Sequence, residues 1–299
     1  MQKLPRFLVI GAMKSGTTTL FRDLVLNPGI FEPVDKEPDT LTTDDILTPS
    51  GLARYAETFA NAREDQLCFE ASTSYTKRPV FDRVPERAFQ VLGAGLKILY
   101  IVREPVSRIL SHHHHDLQLN LVGPDINAAV RNYPNLLNFS RYAFQIKPWI
   151  ERFGPDQIRV IRFEDYVKDR RGTVRTLSEF LGVEPALDKI CEEEVFNRTE
   201  SKPMLGKLML RVAAGSLYRR LVRPMLSLRA RDNLRKKFLP KAKIEPLPPT
   251  AGTVDYLIER LVPDLAELQQ LPGCSGLVWD LSEAKAKVLR PASGHVAIP

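Results

Sequence analysis

The sequence predicts a three-layer α/β fold with a central parallel sheet and a helical C-terminal extension. Short apolar runs rich in β-branched residues alternate with stretches of helical periodicity, and strands separated by helices need crossover connections, which make the strands parallel. The 299 residues, 43% of them hydrophobic, provide a substantial core and exclude a disordered chain. We expect one domain over 1–299, with an α/β core at 1–185 and a mainly helical, basic extension at 186–299.

Each predicted strand is a short apolar run, and each predicted helix repeats its apolar residues at helical spacing. Beyond Leu181 no further strand is predicted. The predicted strands are Phe7–Gly11, Gln66–Glu70, Lys97–Val102 and Gln157–Phe163, with a further candidate at Gly29–Val34. The predicted helices lie near Thr17–Leu26, Leu52–Phe59, Val84–Val91, Pro105–Leu119, Arg141–Phe153 and Thr173–Leu181.

The charge of the chain is concentrated in one segment. The whole chain carries +7, but residues 201–243 hold thirteen basic residues against one acid, Asp232, which leaves −5 for the rest. Over 204–239 leucines and methionines alternate with arginines, a pattern typical of a lid over an anionic ligand, an interfacial membrane helix or a solvated helix face. A nucleic-acid partner is the least favoured, because the segment has no recognised binding motif.

The cysteines and the N-terminus indicate a cytoplasmic protein. Cys68, Cys191 and Cys274 are odd in number and far apart, so they predict neither a disulfide framework nor a zinc site. The apolar run that follows MQKLPR is too short for a signal sequence or a membrane span. We expect no bound metal, and peripheral membrane contact through 204–239 stays open.

The segment FLVIGAMKSGTTTLF predicts an anion-binding loop between a strand and a helix. Free backbone N–H groups and the positive end of the helix dipole would converge there with Lys14 and the threonine hydroxyls on a phosphate or sulfate. A Walker A loop requires lysine directly after its second glycine, whereas Lys14 precedes Gly16, which argues against an ATPase. The alternative is a tight strand-to-helix turn without a ligand.

Arg103 marks a second anion-binding element. It ends the predicted strand KILYIV, and the carboxyl edge of a parallel sheet is where ligands bind. Glu104 and Pro105 suit a helix start, which puts Ser111 about two turns into that helix. A guanidinium can hold a phosphate through two hydrogen bonds. The alternative is a surface ion pair with Glu104 or Asp116.

These segments together resemble the sulfotransferase family that uses 3′-phosphoadenosine 5′-phosphosulfate (PAPS), in its heparan-sulfate-like and bacterial branch. GAMKSGTTTL is similar to the family's 5′-phosphosulfate loop, and REPVSRILS to its 3′-phosphate element. Further similar segments are Lys36-Glu37-Pro38, FEASTSY, RFEDY, FLGV and Trp279, so the resemblance covers nearly the whole chain.

The resemblance implies a P-loop-like fold and an enzyme that moves the sulfuryl group of PAPS to an acceptor. The acceptor would offer a hydroxyl or amine on a saccharide, a natural product or a lipid, and 3′-phosphoadenosine 5′-phosphate (PAP) would be released. A P-loop-type nucleotide or sugar kinase and a non-catalytic basic binder of anions or nucleic acid are the alternatives. The oligomeric state stays open.

The resemblance also implies two sets of nucleotide-binding residues. One set surrounds the 5′-phosphosulfate and the other the 3′-phosphate, and Lys14 would in addition stabilise the leaving group. The first set is Lys14, Ser15, Gly16, Thr17 and Thr18, and the second is Arg103 and Ser111, with Arg198 and Lys202 as candidates in a closing segment.

Glu37 is the expected general base, because it is similar in position to the catalytic glutamate of the heparan-sulfate-like enzymes. Lys36 beside it is expected to tune the site or meet donor oxygens, unless the pair is only part of a surface loop. After Pro38 the chain departs from the family, where many members have histidine and paired aromatics, so we expect an altered acceptor pocket.

Three further residues are candidates for the acceptor side. His115 lies four residues after Ser111 on the same helix face and is the second candidate for the base, although a polar surface face explains it equally well. Glu70 and Tyr75 follow the predicted strand QLCFE and are expected to line the acceptor side.

Overall fold

The computed structural model describes residues 3–191 and 245–290. Its four strands form one sheet in which every neighbouring pair is parallel. The basic segment 201–243, Arg198 and Lys202 lie outside the described residues. The strands are β1 (Phe7–Gly11), β2 (Phe69–Ala71), β3 (Lys97–Val102) and β4 (Ile158–Arg162), in the order β2, β1, β3, β4 across the sheet.

The helices largely follow the predicted segments. At two of them a capping side chain sets the first residue of the helix. One helix begins at Pro49 because Thr48 Oγ1 accepts the Gly51 N–H at 3.0 Å, and another begins at Arg170 because the Asp169 side chain accepts the Gly172 N–H. The helices are α1 (Thr17–Val25), α2 (Pro49–Glu57), α3 (Val84–Leu92), α4 (Pro105–Gln118), α5 (Ile126–Asn132), α6 (Asn135–Asn138), α7 (Tyr142–Phe153), α8 (Phe163–Lys168), α9 (Arg170–Leu181), α10 (Ala251–Gln270) and α11 (Leu281–Leu289).

Helices cover both faces of the sheet. Successive side chains of a strand point to opposite faces, so Leu8 and Ile10 pack into one core with buried residues of α3, α4, α7 and α10. Phe7 and Val9 pack into a second core with buried residues of α1 and α9. A sheet buried on both sides requires nearly continuous apolar strands, as the sequence shows. The predicted three-layer α/β fold is confirmed.

The strand order creates a switch point between β1 and β3. The connection from β1 leads to β2 on one side, and the next connection returns across the sheet to β3 on the other. In open parallel sheets ligands bind at the carboxyl edge where the order reverses. The loop that follows β1 and Arg103, which follows β3, both lie at this point.

The predicted strand at Gly29–Val34 is wrong. The segment makes only an isolated bridge between Ile30 and Leu67, and Pro33 lacks the N–H that a longer ladder would need. Next to this bridge the Leu67 N–H donates to the Gly29 carbonyl at 2.8 Å. The segment therefore runs beside β2 as an irregular strap.

The described part of the C-terminal extension packs against the helical layer of the sheet. The Asp264 carboxylate on α10 accepts the backbone N–H groups of Ala143 and Phe144, each at 3.0 Å, and thus caps the start of α7. In residues 3–191 and 245–290 no helix combines the length and the apolar character needed to cross a bilayer. The division at residue 185 stays a prediction.

Candidate functional site

Two glycines shape the loop between β1 and α1. Gly11 has φ 144° and Gly16 has φ 88°, values that L side chains rarely adopt. A Cβ on Gly11 would lie 2.1 Å from Thr76 Oγ1, and one on Gly16 would lie 2.6 Å from a ring carbon of Phe163. The loop thus lies directly on the segment after β2 and on the residue after β4, with no room for a larger side chain.

The loop presents an uncapped helix start. In the described part of the chain no side chain caps α1, and its first turn contains no acid. Ser15 is fully buried, and its hydroxyl has no hydrogen-bond partner among the described residues. Lys14 has φ 69°, a left-handed conformation that costs a non-glycine residue on the order of 1 kcal/mol. Helix dipole, N–H groups and Lys14 together suit an anion.

The far end of α1 is anchored by a buried ion pair. Arg170 Nη2 lies 2.5 Å from Asp23 Oδ1, and its Nε donates to the other carboxylate oxygen at 3.0 Å. The Tyr166 hydroxyl donates to the same carboxylate at 2.5 Å. A buried pair with this many hydrogen bonds fixes its helix firmly, because removal of either partner would leave an uncompensated charge.

A fully buried guanidinium holds the loop from the other side. Arg108 donates to the Met13 carbonyl at 3.2 Å and to the Leu136 carbonyl at 2.9 Å, and it also bonds Ser140 Oγ. Its Nη2 lies 3.3 Å from His112 Nδ1. One side chain therefore ties the loop to α4 and α6.

Arg103 is fixed through its backbone and buried beside the loop. Its N–H donates to the Tyr142 hydroxyl at 3.3 Å, and that hydroxyl donates to the Arg103 carbonyl at 2.6 Å. Its guanidinium lies 5.1 Å from the centre of the Phe163 ring, and burial lowers the pKa of Arg103 without removing its charge. Arg103 and the loop thus share Phe163 as a common support.

The two acids considered as partners of Arg103 have other roles. Both carboxylate oxygens of Glu104 cap α4, accepting the Val106 and Ser107 N–H groups at 2.7 Å each. Asp116 pairs with His112 at 3.1 Å. Ser111 lies on α4, which begins two residues after Arg103.

Glu37 lies at the carboxyl end of β2. Its N–H donates to the Ala71 carbonyl at 2.9 Å, and its φ of 65° is again left-handed. The carboxylate accepts from Lys36 Nζ at 2.7 Å, and the Glu37 side chain is 40% exposed against 13% for Lys36. The structure thus presents a carboxylate to solvent beside the carboxyl end of β2, the strand next to β1.

Glu70 and Tyr75 belong to a buried hydrogen-bonded cluster at the end of β2. Both are about 1% exposed, and Tyr75 donates to Glu70, which also accepts from Tyr55 at 2.6 Å and Ser72 at 2.5 Å. Burial raises the pKa of Glu70. The Ser72 hydroxyl in turn accepts the Asp39 N–H at 3.1 Å, so the cluster supports the strap that carries Glu37.

A cavity of about 430 Å³ opens beside the loop. Met13 from the loop and His115 from α4 line it, together with Lys77 and Asp116. Burial lowers the pKa of Lys77, while the negative charges of Glu37, Asp39 and Asp116 oppose this shift. The structure therefore brings His115 to a cavity wall and Glu37 into the electrostatic range of the same wall.

Lys77 is a residue that the sequence analysis missed. It follows the segment FEASTSY by two residues, and no local pattern in the sequence marks it. Arg108, His112 and Phe163 were missed because only long-range contacts give them a role. The described residues contain no group of three or more His, Cys, Asp and Glu that could hold a metal ion.

His112 is a neutral link between two charged side chains. Arg108 can only donate, so His112 Nδ1 accepts from it, and the Nε2–H donates to Asp116. Burial lowers the pKa of His112 to about 4. The ring also stacks on Phe139 with 5.6 Å between centroids.

The fold is that of an α/β protein with a glycine-containing loop at the switch point of its parallel sheet, and the uncapped helix start of that loop suits an anion. The chain belongs to the sulfotransferase family, because the model of the family described as "Sulfotransferase domain" matches residues 4–221. The family resemblance of the sequence is thereby confirmed.

Individual relatives are distant. The heparan sulfate glucosamine 3-O-sulfotransferase 5 of Mus musculus is 22% identical over 202 residues, which are 63% of this chain and 56% of that protein. The bifunctional heparan sulfate N-deacetylase/N-sulfotransferase 4 of Mus musculus is 27% identical over 61% of this chain and 23% of that protein. The chain thus matches about half of the first relative and a quarter of the second.

One solved structure supports the fold. The sulfotransferase from Alicyclobacillus acidocaldarius superposes with a TM-score of 0.57 at 22% identity, covering 89% of this chain and 94% of that one.

The buried His112 predicts a loss of stability in mild acid. The unfolded chain protonates this histidine below about pH 6.5, whereas the folded chain does so only near pH 4. As the pH falls from 6.5 to 4.5, the free energy of unfolding should therefore drop by about 2 to 3 kcal/mol through this group. Urea unfolding of the wild type and of His112→Asn at pH 6.5 and pH 4.5 measures this loss of unfolding free energy. The variant should lose less stability than the wild type between these two pH values. Equal losses would contradict the neutral state of the buried His112.

Proposed function

We propose that this protein transfers the sulfuryl group of PAPS to a hydroxyl or amine of a small-molecule, saccharide or lipid acceptor. The observation that carries the proposal is the loop of a sulfotransferase family member, in which an uncapped helix start, a buried Ser15 hydroxyl and a left-handed Lys14 follow one another directly. Each of these features suits a bound anion.

The donor site would be shared between the ends of β1 and β3. Lys14, Ser15, Gly16, Thr17 and Thr18 would hold the 5′-phosphosulfate through backbone N–H groups and side chains. Arg103 and Ser111 would hold the 3′-phosphate. Arg103 suits this role because its backbone is pinned by Tyr142 and its charge is available beside Phe163.

The transfer requires a base, a cation and alignment. The acceptor O–H would give its proton to Glu37 while a bond forms between the acceptor oxygen and sulfur. The bond from sulfur to the bridging oxygen breaks, and PAP leaves with the electron pair. Lys14 would offset the negative charge that develops on that oxygen. By analogy with loose phosphoryl transfer, most of the catalysis would come from positioning and charge.

Glu37 is preferred to His115 as the base. Its carboxylate is accessible, oriented by Lys36 and fixed at the end of the strand adjacent to the donor loop. His115 lines the neighbouring cavity and is the second candidate. Glu70 and Tyr75 would act from below by supporting the strap that carries Glu37.

Nucleotide selectivity tests the proposed donor. PAP should raise the melting temperature, with a stabilisation of about 2.7 kcal/mol at a concentration of 100 Kd, whereas ATP with magnesium should not. Lys14→Ala should reduce the rise in melting temperature that PAP causes. Lys287→Ala, which changes an exposed lysine on α11, should leave that rise unchanged. An equal response to ATP would favour a kinase, and PAP binding that survives Lys14→Ala would favour a non-catalytic anion binder.

Arg103→Ala should reduce the affinity for PAP. Loss of a charge-assisted pair with the 3′-phosphate should cost about 1.5 to 3 kcal/mol, which is roughly 10- to 150-fold in Kd. Isothermal titration with PAP and with adenosine 5′-phosphate, which lacks the 3′-phosphate, measures the effect. Only PAP should lose affinity, and Arg175→Ala on the exposed face of α9 serves as the control. Unchanged PAP affinity would refute the role.

Glu37→Gln should abolish turnover while sparing nucleotide binding. Removal of a general base should lower kcat by about 100-fold or more, whereas the Kd for PAP should stay near the wild-type value. Release of PAP from PAPS with a panel of saccharide, phenol and lipid acceptors measures turnover. Glu32→Gln, an exposed acid on the same strap, is the control. Wild-type turnover in Glu37→Gln would transfer the role to His115, to be tested with His115→Asn.

A further inference from the structure

We propose that the cavity beside the donor loop is the acceptor site and that it takes a compact ring-bearing phenol or alcohol with an apolar body. This inference rests on the proposed sulfotransferase function and names its class of acceptor. An anionic saccharide chain, the class acted on by the heparan sulfate relatives, is the competing outcome of the test.

The position of the cavity connects it to the donor site. Met13, which lines the cavity, immediately precedes Lys14 in the loop. Arg108 holds the Met13 carbonyl at 3.2 Å and bonds His112, which lines the same cavity. A group bound here would lie against the residue that neighbours the proposed 5′-phosphosulfate contacts.

The wall nearest the loop carries the groups that a hydroxyl needs. Lys77 and His115 both line the cavity, and Lys77 is close enough to Glu37 for their charges to interact. An acceptor hydroxyl in this corner would meet the Lys77 ammonium, on which the charge of Glu37 also acts. A phenol benefits most from such an arrangement, since an adjacent cation stabilises the phenolate-like oxygen that forms as the proton leaves.

Most of the remaining lining is apolar. Leu119, which follows the end of α4, lines the cavity together with Phe139, which stacks on His112. Leu121 and Tyr133 are 62% and 45% exposed, so the mouth of the cavity is also apolar. Exposed apolar groups around a concave site are typical of a site that binds an apolar ligand.

The charges of the lining oppose an anionic polymer. Among the described lining residues Lys77 and Asp116 are the formally charged pair, and they cancel each other. His112 stays neutral near pH 7 because its pKa is lowered to about 4. A saccharide with a carboxylate or sulfate in each repeat would need several cations to offset the cost of leaving water. A neutral ring compound does not need them.

The size of the cavity agrees with a small acceptor. Its volume of about 430 Å³ lies at the lower end of the range of roughly 300 to 1,000 Å³ for small-molecule sites. A compound with one or two fused rings fits this space with its hydroxyl toward Lys77 and its body against Leu119 and Phe139.

The test measures both binding and transfer with the full-length protein. Isothermal titration of 2-naphthol into protein saturated with PAP should give one site, and 2-naphthyl sulfate should form when PAPS is supplied. An oligosaccharide of N-acetylheparosan, which carries a carboxylate in every repeat, should neither bind nor be sulfated. Sulfation of the oligosaccharide without binding of 2-naphthol would overturn the inference.

A substitution at the mouth of the cavity distinguishes a neutral ring acceptor from an anionic saccharide, because it should change their affinities in opposite directions. Leu121→Lys should weaken 2-naphthol binding by about tenfold, since it removes an apolar contact worth roughly 1.4 kcal/mol. The same change would strengthen binding of an anionic saccharide. Leu121 is well exposed, so folding is preserved, and Val262→Lys, at an exposed apolar residue of α10, is the control. Equal 2-naphthol affinity in both variants would also overturn the inference.

Failure of the donor proposal is distinguishable from failure of this one. If PAP does not stabilise the protein, the proposed sulfotransferase function is refuted, and so is the proposed acceptor class. If PAP binds and 2-naphthol does not bind to the PAP-saturated protein, only the acceptor class is overturned.

Discussion

The buried guanidinium of Arg108 is the interaction on which the whole site depends. A charge removed from water is tolerated only when its donors are hydrogen-bonded, and Arg108 finds acceptors on the loop between β1 and α1, on α4 and on α6. Because these acceptors come from separate parts of the chain, the loop and the cavity wall must take their places together. Neither can shift without loss of a hydrogen bond in a region closed to water.

The parallel sheet brings one component of the site to the end of each strand. β1 ends in the glycine loop that precedes α1, β2 in the carbonyl that holds Glu37, β3 in Arg103 and β4 in the ring of Phe163. Parallel strands that share a carboxyl edge bring together residues far apart in sequence, so the groups proposed for donor binding and for catalysis lie at one edge of the sheet.

The sequence predicted those parts of the site whose signals are local. A loop motif, an arginine at a strand end and a Lys-Glu-Pro segment are each contained within a few residues, and the structure brings Lys14, Arg103 and Glu37 to one edge. The bonds of Arg108 and the charge environment of Lys77 depend on contacts between distant segments, which a single sequence does not reveal. The strand expected at Gly29–Val34 failed for a local reason, since Pro33 has no N–H for a ladder and only the bridge between Ile30 and Leu67 forms.

The left-handed backbone of Lys14 and of Glu37 sets limits on how this protein can change. Glycine would take up either conformation without strain and would relieve on the order of 1 kcal/mol at each position. It would also delete the ammonium or the carboxylate. Under the roles proposed for Lys14 and Glu37, greater stability and activity are therefore mutually exclusive at these two positions, and selection for thermal stability alone would remove the groups that the reaction needs.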